Sequence, residues 1–149
     1  KSFKKRIIIR PHNIYGQNMG HDHVIPEVIK KIITAKKLNK NIIDIIGPSK
    51  NTRSFMHIDD FINAFYLIFK SKKNKEIFNV GNNDEINIKS LIKKILKKMN
   101  CKFRIKEKII KNFGQTNRRC PDINKIEKLG YKQKVSIDEG IENIINNFN

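Results

Sequence analysis

Residues 5–10, KRIIIR, set three consecutive isoleucines between basic residues. A β-branched run this short, apolar toward both sides, fits a strand buried within a parallel sheet. Parallel strands need crossover helices, and the chain provides them in alternation. In residues 24–38, VIPEVIKKIITAKKL, positions 25, 28, 29, 32 and 33 form a helical stripe with Pro26 in the first turn. NIIDIIG (41–47) reads as a strand closed by the turn GPSKN, and RSFMHI (53–58) as extended chain. The following DFINAFYLIFKS is apolar nearly all round, which predicts a deeply packed helix capped by Asp59 or Asp60. EIFNVGNN (76–83) is a second buried-type strand, and residues 88–99 a helix with Asn87 as its cap. CKFRIKEK (101–108) alternates as an exposed strand, and PDINKIEKLGY predicts a short helix stopped by Gly130. Ser136 and Glu139 have the spacing of a capping box, which starts a final helix. With no internal repeat and no flexible linker, this is an α/β chain.

The 149 residues suffice for one domain with a core. No apolar run is long enough to span a bilayer, so no membrane is expected. The basic, then apolar, N-terminal stretch is not read as a signal peptide, because only Ile7, Ile8 and Ile9 make its apolar part and no cleavage site follows. Cys101 and Cys120 form no CxxC pair, which fits reduced thiols and a cytoplasmic location. A net charge of +18 raises nucleic-acid binding as a competing class. Against it, the lysines are scattered and no aromatic residues alternate with them as a stacking platform. The joint excess of Lys, Ile and Asn also has the look of coding bias.

The loop RPHNIYGQNMGHDHVIP holds His12, His21 and His23. No cysteine or carboxylate cluster joins the H-x-H pair at ligand spacing, so no metal is expected. Asp59 and Asp60 are adjacent, point in different directions and precede an apolar helix, which makes them caps and first-turn acids rather than an acid/base pair. Arg53, Arg118 and Arg119 stand out in a lysine-rich chain. A guanidinium grips phosphate bidentately, but a surface arginine or a structural salt bridge fits the same residues. The chain is read as having neither a G-x-x-G-x-x-G turn nor a Y-x-x-x-K.

Taken in order, IRPHNIYGQNMG..HVIPEVI, IIGPSKNTRSFMHIDD, IFNVGNN and RRCPDINKIEKLGY....SIDEGI resemble the C-terminal part of the NAD-dependent epimerase/dehydratase family, the extended short-chain dehydrogenases that modify nucleotide-sugars. The resemblance covers nearly the whole chain. It implies a Rossmann-type α/β fold in which residues 1–149 carry the last strands and helices of the cofactor sheet, interleaved with a smaller substrate-binding domain. The dinucleotide-binding half and the catalytic Y-x-x-x-K are expected upstream of KRIIIR, and Lys1 is too close to Asn13 to be that lysine.

The family's pattern implies roles residue by residue. His12 lies beside the nicotinamide of NAD, through its backbone, and Asn13 donates its amide to the substrate diphosphate. His23 and Val24 hold the nucleotide part, although asparagine is frequent in the family where His23 stands. Asp44, Ile45 and Ile46 support the base. Arg53 binds phosphate, and Arg119 and Asp122 hold diphosphate and ribose. A nucleotide-diphosphate sugar is the implied substrate, and a homodimer the implied state of the intact enzyme. This chain would then be inactive alone. A non-catalytic sugar-nucleotide-binding module is the remaining alternative.

Overall fold

A computed structural model describes residues 4–20, 22–108 and 116–148 of the chain. Lys1 and His21, considered above, lie outside these described residues. The elements follow in the order β1 (Ile7–Pro11), β2 (Ile14–Tyr15), α1 (Val24–Lys37), β3 (Ile42–Ile46), β4 (Thr52–Ser54), β5 (Met56–His57) and α2 (Ile58–Lys70). Then come β6 (Glu76–Val80), β7 (Glu85–Asn87), α3 (Ile88–Lys98), β8 (Arg104–Lys108), β9 (Arg118–Arg119), α4 (Asn124–Glu127) and α5 (Ile137–Asn146). The chain divides into two compact units. The first takes the chain up to Tyr15, Ser54–Glu85 and Cys120–Ile137; the second takes Gly16–Arg53, Ile86–Arg119 and the chain from Asp138.

In the first unit β1 and β6 pair in parallel, from Ile7 opposite Glu76 to Pro11 opposite Val80, and β2 pairs in parallel with β5. Phe78, Val80, Met56, Ala64, Ile68 and Ile126 form its buried core, with Ile7 and Ile9 packed against it. Helix α2 departs from the sequence expectation in two ways. Only Asp60, Ala64 and Ile68, spaced four apart, are buried, while Ile62, Phe65, Tyr66 and Phe69 are exposed. An all-round apolar pattern tells that a helix could be covered on every side, and here cover is present on one. The cap also differs: His57 is the N-cap, its Nδ1 accepting the Asp59 N–H at 3.3 Å. The chain enters α2 directly from β5, so the imidazole reaches the first free N–H before either aspartate can. Asp59 is an exposed first-turn acid, favourable at the positive end of the helix dipole.

The second unit pairs β3 with β8 and β4 with β9, each in parallel, the latter within the order β7-β4-β9. Ile25, Val28, Ile29 and Ile32 of α1 are buried, as are Leu91, Ile92 and Ile95 of α3 and Ile141 and Ile144 of α5. The predicted cap of α3 is present, Asn87 Oδ1 accepting from Ser90 N at 2.8 Å. Along the exposed sides of α3 and α5, Lys94 meets Asp138 and Lys98 meets Glu142, each at 2.5 Å. These pairs are half-exposed and fix register more than they stabilise. Among the described residues no helix is long and apolar enough to cross a membrane.

Candidate functional site

Within the first unit the polar loop begins where β1 ends. The His12 N–H continues the ladder to Val80 O at 2.9 Å, so any contact made through its backbone would use the carbonyl. Gly81, the residue after β6, lies against it. A Cβ there would sit 2.8 Å from Pro121 Cγ, closer than real Cβ atoms approach, and 3.0 Å from His12 Cβ, tighter than most do. Gly81 thus leaves just enough room for His12 and Pro121 to approach its backbone. Asn13 adopts a left-handed backbone, φ +44°, a conformation asparagine tolerates better than most residues. Its carbonyl accepts from Met56 N at 3.2 Å and its Nδ2 donates to Ser54 O at 2.8 Å. One amide hydrogen is therefore engaged in holding β4–β5 to the loop, and a carboxamide has a second.

Among the described residues, His12 Nε2, Ser54 Oγ and His57 Nε2 are buried in this unit without a hydrogen-bond partner. Buried polar groups are nearly always paired, so each of these atoms is free to bond to water or to a polar group from outside the chain. His12 Nε2, next to the left-handed Asn13, is thus compatible with a cofactor amide or hydroxyl. Neither Ser54 nor His57 stands out as a site residue in the sequence; no spacing rule signals a buried orphan.

Neighbouring polar residues are structural. Asp60 is 1% exposed, and its carboxylate accepts from Lys134 N and Val135 N at 3.1 to 3.2 Å. It is neither the helix cap nor an acid/base group but the anchor of the 134–135 segment. Tyr131 donates to Asn82 Oδ1 at 2.5 Å, and Asn82 Nδ2 donates to Phe55 O at 2.9 Å. Burial, with Asp60, Asp84 and Glu127 adding negative charge, pushes the Tyr131 phenol above its ordinary value, so it remains a donor. Asp122, which the family pattern assigns to ribose, is exposed and accepts the Asn124 N–H at 2.9 Å through Oδ1, starting α4.

In the second unit the register of β4 and β9 sets Arg53 opposite Arg119. Arg53 is half-buried and directs Nη1 to Thr52 O at 2.7 Å and to Asn117 O at 3.4 Å. Burial, and then the charge of Arg119, hold its guanidinium below the ordinary arginine range. Two like charges on paired strands are destabilising by themselves. An anion between or beside them would offset that cost.

His23 is the N-cap of α1, exposed and without a side-chain capping bond, and Val24 is the first helical residue. Ile45 points into the core at 4% exposure while Ile46 is 54% exposed, so the two differ in what a ligand could touch. Asp44 pairs with Lys108 at 2.7 Å, and the hydrogen bond from that ammonium is the main cause holding its carboxyl below the usual range. The N-terminus of α3 is closed to anions, because Ile88 N and Lys89 N already donate to Asn51 O and Ser49 O.

Residues expected to act together are thus divided. His12, Asn13 and Asp122 belong to the first unit; His23, Val24, Asp44, Ile45, Ile46, Arg53 and Arg119 belong to the second. Among the described residues no group of His, Cys, Asp and Glu could hold a metal. One sequence expectation needs correction. The spacing Y-x-x-x-K does occur, as Tyr66 to Lys70 on α2. There Lys70 Nζ lies 4.9 Å from the Tyr66 ring centroid, a cation–π contact on an exposed helix face. The ammonium is placed against the ring face, and both residues stand on the exposed side of α2.

Residues 4–144 match the family model described as GDP-mannose 4,6 dehydratase. Among curated relatives, a putative GDP-L-fucose synthase 2 of Arabidopsis thaliana is 29% identical over 135 residues, 88% of this chain and 41% of that protein. The dTDP-4-dehydro-6-deoxyglucose reductase of Escherichia coli is 32% identical over 150 residues, 95% of this chain and 44% of that protein. Among solved structures, UDP-glucose 4-epimerase of Thermotoga maritima with UDP-glucose superposes with a TM-score of 0.81 at 22% identity, covering 95% of this chain and 45% of that one. The chain therefore spans less than half the length of these relatives, and it shares their α/β fold.

Proposed function

The chain belongs to the GDP-mannose 4,6-dehydratase family of NAD-dependent epimerases and dehydratases, and from that membership we propose that it supplies the nucleotide-sugar-binding portion of such an enzyme. The observation that supports this most directly is the Arg53–Arg119 pair. Its Nη1 held by backbone carbonyls, Arg53 has a fixed guanidinium plane, and the remaining donors suit two oxygens of a diphosphate. Asn13 adds a neutral donor through its second amide hydrogen. His23 and Val24 at the start of α1 contact the nucleotide, Asp44, Ile45 and Ile46 support the base, and Asp122 accepts from ribose hydroxyls. His12 faces the cofactor, with its buried Nε2 as well as its carbonyl. NAD, when bound, accepts hydride from the carbon of a sugar hydroxyl; this chain contributes position and charge to that step.

The intact enzyme acts as a homodimer, and the 149 residues by themselves turn over no nucleotide-sugar. Titrating UDP-, GDP- and dTDP-sugars into the purified chain, with Arg53→Ala as control, tests the reading. Binding of one of them that the substitution weakens supports it. Equal binding of the control, or conversion of substrate by the isolated chain, contradicts it. Duplex and single-stranded DNA at two salt concentrations belong in the same experiment. Binding that survives physiological salt would favour a nucleic-acid partner, because an attraction due to charge alone fades as counterions compete.

A further inference from the structure

In the second unit, the turn at residues 16–19 and the residues just after α5 line a cavity of about 270 Å³. Pro26 of α1 and Ile144 of α5, both buried, supply apolar surface, and the half-buried Phe148 adds an aromatic ring. Three carboxamides stand around it, those of Gln17, Asn18 and Asn147. Asn18 turns the chain there with a left-handed backbone, φ +57°, which asparagine adopts more readily than most residues. Asn147 Nδ2 donates to Asn143 O at 2.8 Å, so the helix end holds this amide and leaves its oxygen and a second hydrogen for a ligand.

The charge around this cavity sets it apart from the rest of the molecule. In a chain that is 31% charged, with a net charge of +18, none of the described residues lining it carries a charge. A phosphate or carboxylate is gripped by arginine or lysine, so neither group has a partner here. Carboxamides instead present a donor and an acceptor side by side, which matches hydroxyl groups that both donate and accept. The volume falls just below the range of about 300–1,000 Å³ for drug-sized ligands, so it suits a single ring and not a nucleotide-sugar.

The geometry points to a binding site for a neutral, hydroxyl-rich ring of hexose size. The three amides bond its hydroxyls, while Phe148 and Ile144 cover its C–H face. The site shares no residue with the Arg53–Arg119 pair or with the other nucleotide contacts proposed above. It therefore goes beyond the proposed function and stands independently of it.

Titrating glucose, galactose and mannose into the purified chain, with the side-chain amide signals of Gln17, Asn18 and Asn147 followed by NMR, tests the inference. Expected are saturable shifts of all three amides for at least one sugar. The Kd should be about 1–10 mM, as a ligand of roughly a dozen heavy atoms allows. Phe148→Ala should weaken binding about tenfold, and Gln17→Ala, at an exposed position that leaves folding untouched, about three- to tenfold. The absence of saturable shifts with every sugar overturns the inference, as does affinity unchanged in the Gln17→Ala protein. Equal shifts with glycerol would show an adventitious additive only and also overturn it. Tighter binding of glucose 6-phosphate at the same amides would refute a neutral ligand. Arg53→Ala should leave the sugar shifts as they are. A chain that binds sugar here but no nucleoside diphosphate would count against the proposed function alone.

Discussion

Arg53 and Arg119 stand opposite one another on the parallel strands β4 and β9, and the half-buried Arg53 is held below its ordinary pKa by burial and by its neighbour's charge. Such an arrangement is poised for an anion. Arg53→Lys keeps the charge but loses the planar fork, so affinity for a nucleoside diphosphate should fall about tenfold, and Arg53→Gln about 10- to 100-fold. Calorimetric titration with GDP, UDP and dTDP reads both. Equal affinity in all three proteins would remove the pair from the site.

Gly81→Ala should lower stability by about 1–3 kcal/mol, since the new methyl would overlap Pro121 Cγ and His12 Cβ. Urea unfolding measures it. Because the proline ring has little freedom to yield, a neutral result would mean that the 120–123 segment moves away from β6 in solution.

Asp60→Asn replaces an acceptor of the Lys134 and Val135 N–H groups with a side chain that presents a donor on one side. About 1–3 kcal/mol of stability should be lost. Nucleotide affinity should stay as it was, which separates an anchoring role from a catalytic one. An unchanged unfolding midpoint would show that the 134–135 segment is held by other contacts.

Acid should weaken the fold through exposed carboxylates. The Ser49 hydroxyl and N–H hold Glu107 below its ordinary value of 4.5, and Lys108 holds Asp44 below 3.8. A carboxyl whose folded pKa is lowered stabilises fully above its unfolded value and stops doing so as pH falls through the folded one. Glu107→Gln should therefore be less stable than the parent at pH 7, with the gap closing below about pH 4. Denaturation midpoints from pH 7 to pH 3 check this; a gap that persists at pH 3 would place the effect elsewhere.

Local pattern determined most of the elements. The isoleucine runs at 7–9 and 42–46 became parallel strands, Asn87 caps α3, and Gly130, at φ +93°, follows α4. Period and capping chemistry act over a few residues, so they can be read along the chain. The short strands β2, β7 and β9 were not legible, because two- or three-residue strands exist only through partners distant in sequence. The same holds for the caps and anchors. His57, not an aspartate, caps α2, and Asp60 turns instead to residues 74 and 75 positions away.

For the site, sequence supplied residue types, and ordered motifs supplied the resemblance that family membership supports. Only the tertiary structure decided which strand Arg53 faces, which Asn13 hydrogen is already engaged, and that Ile45 is inward while Ile46 is outward. Those are properties of register and burial, set by the partner strand rather than by the residue itself. The exposure of Ile8 belongs to the same class. KRIIIR determined that a strand apolar on both faces would form, and the fold decided that Ile7 and Ile9 pack on the core while Ile8 is exposed among the described residues.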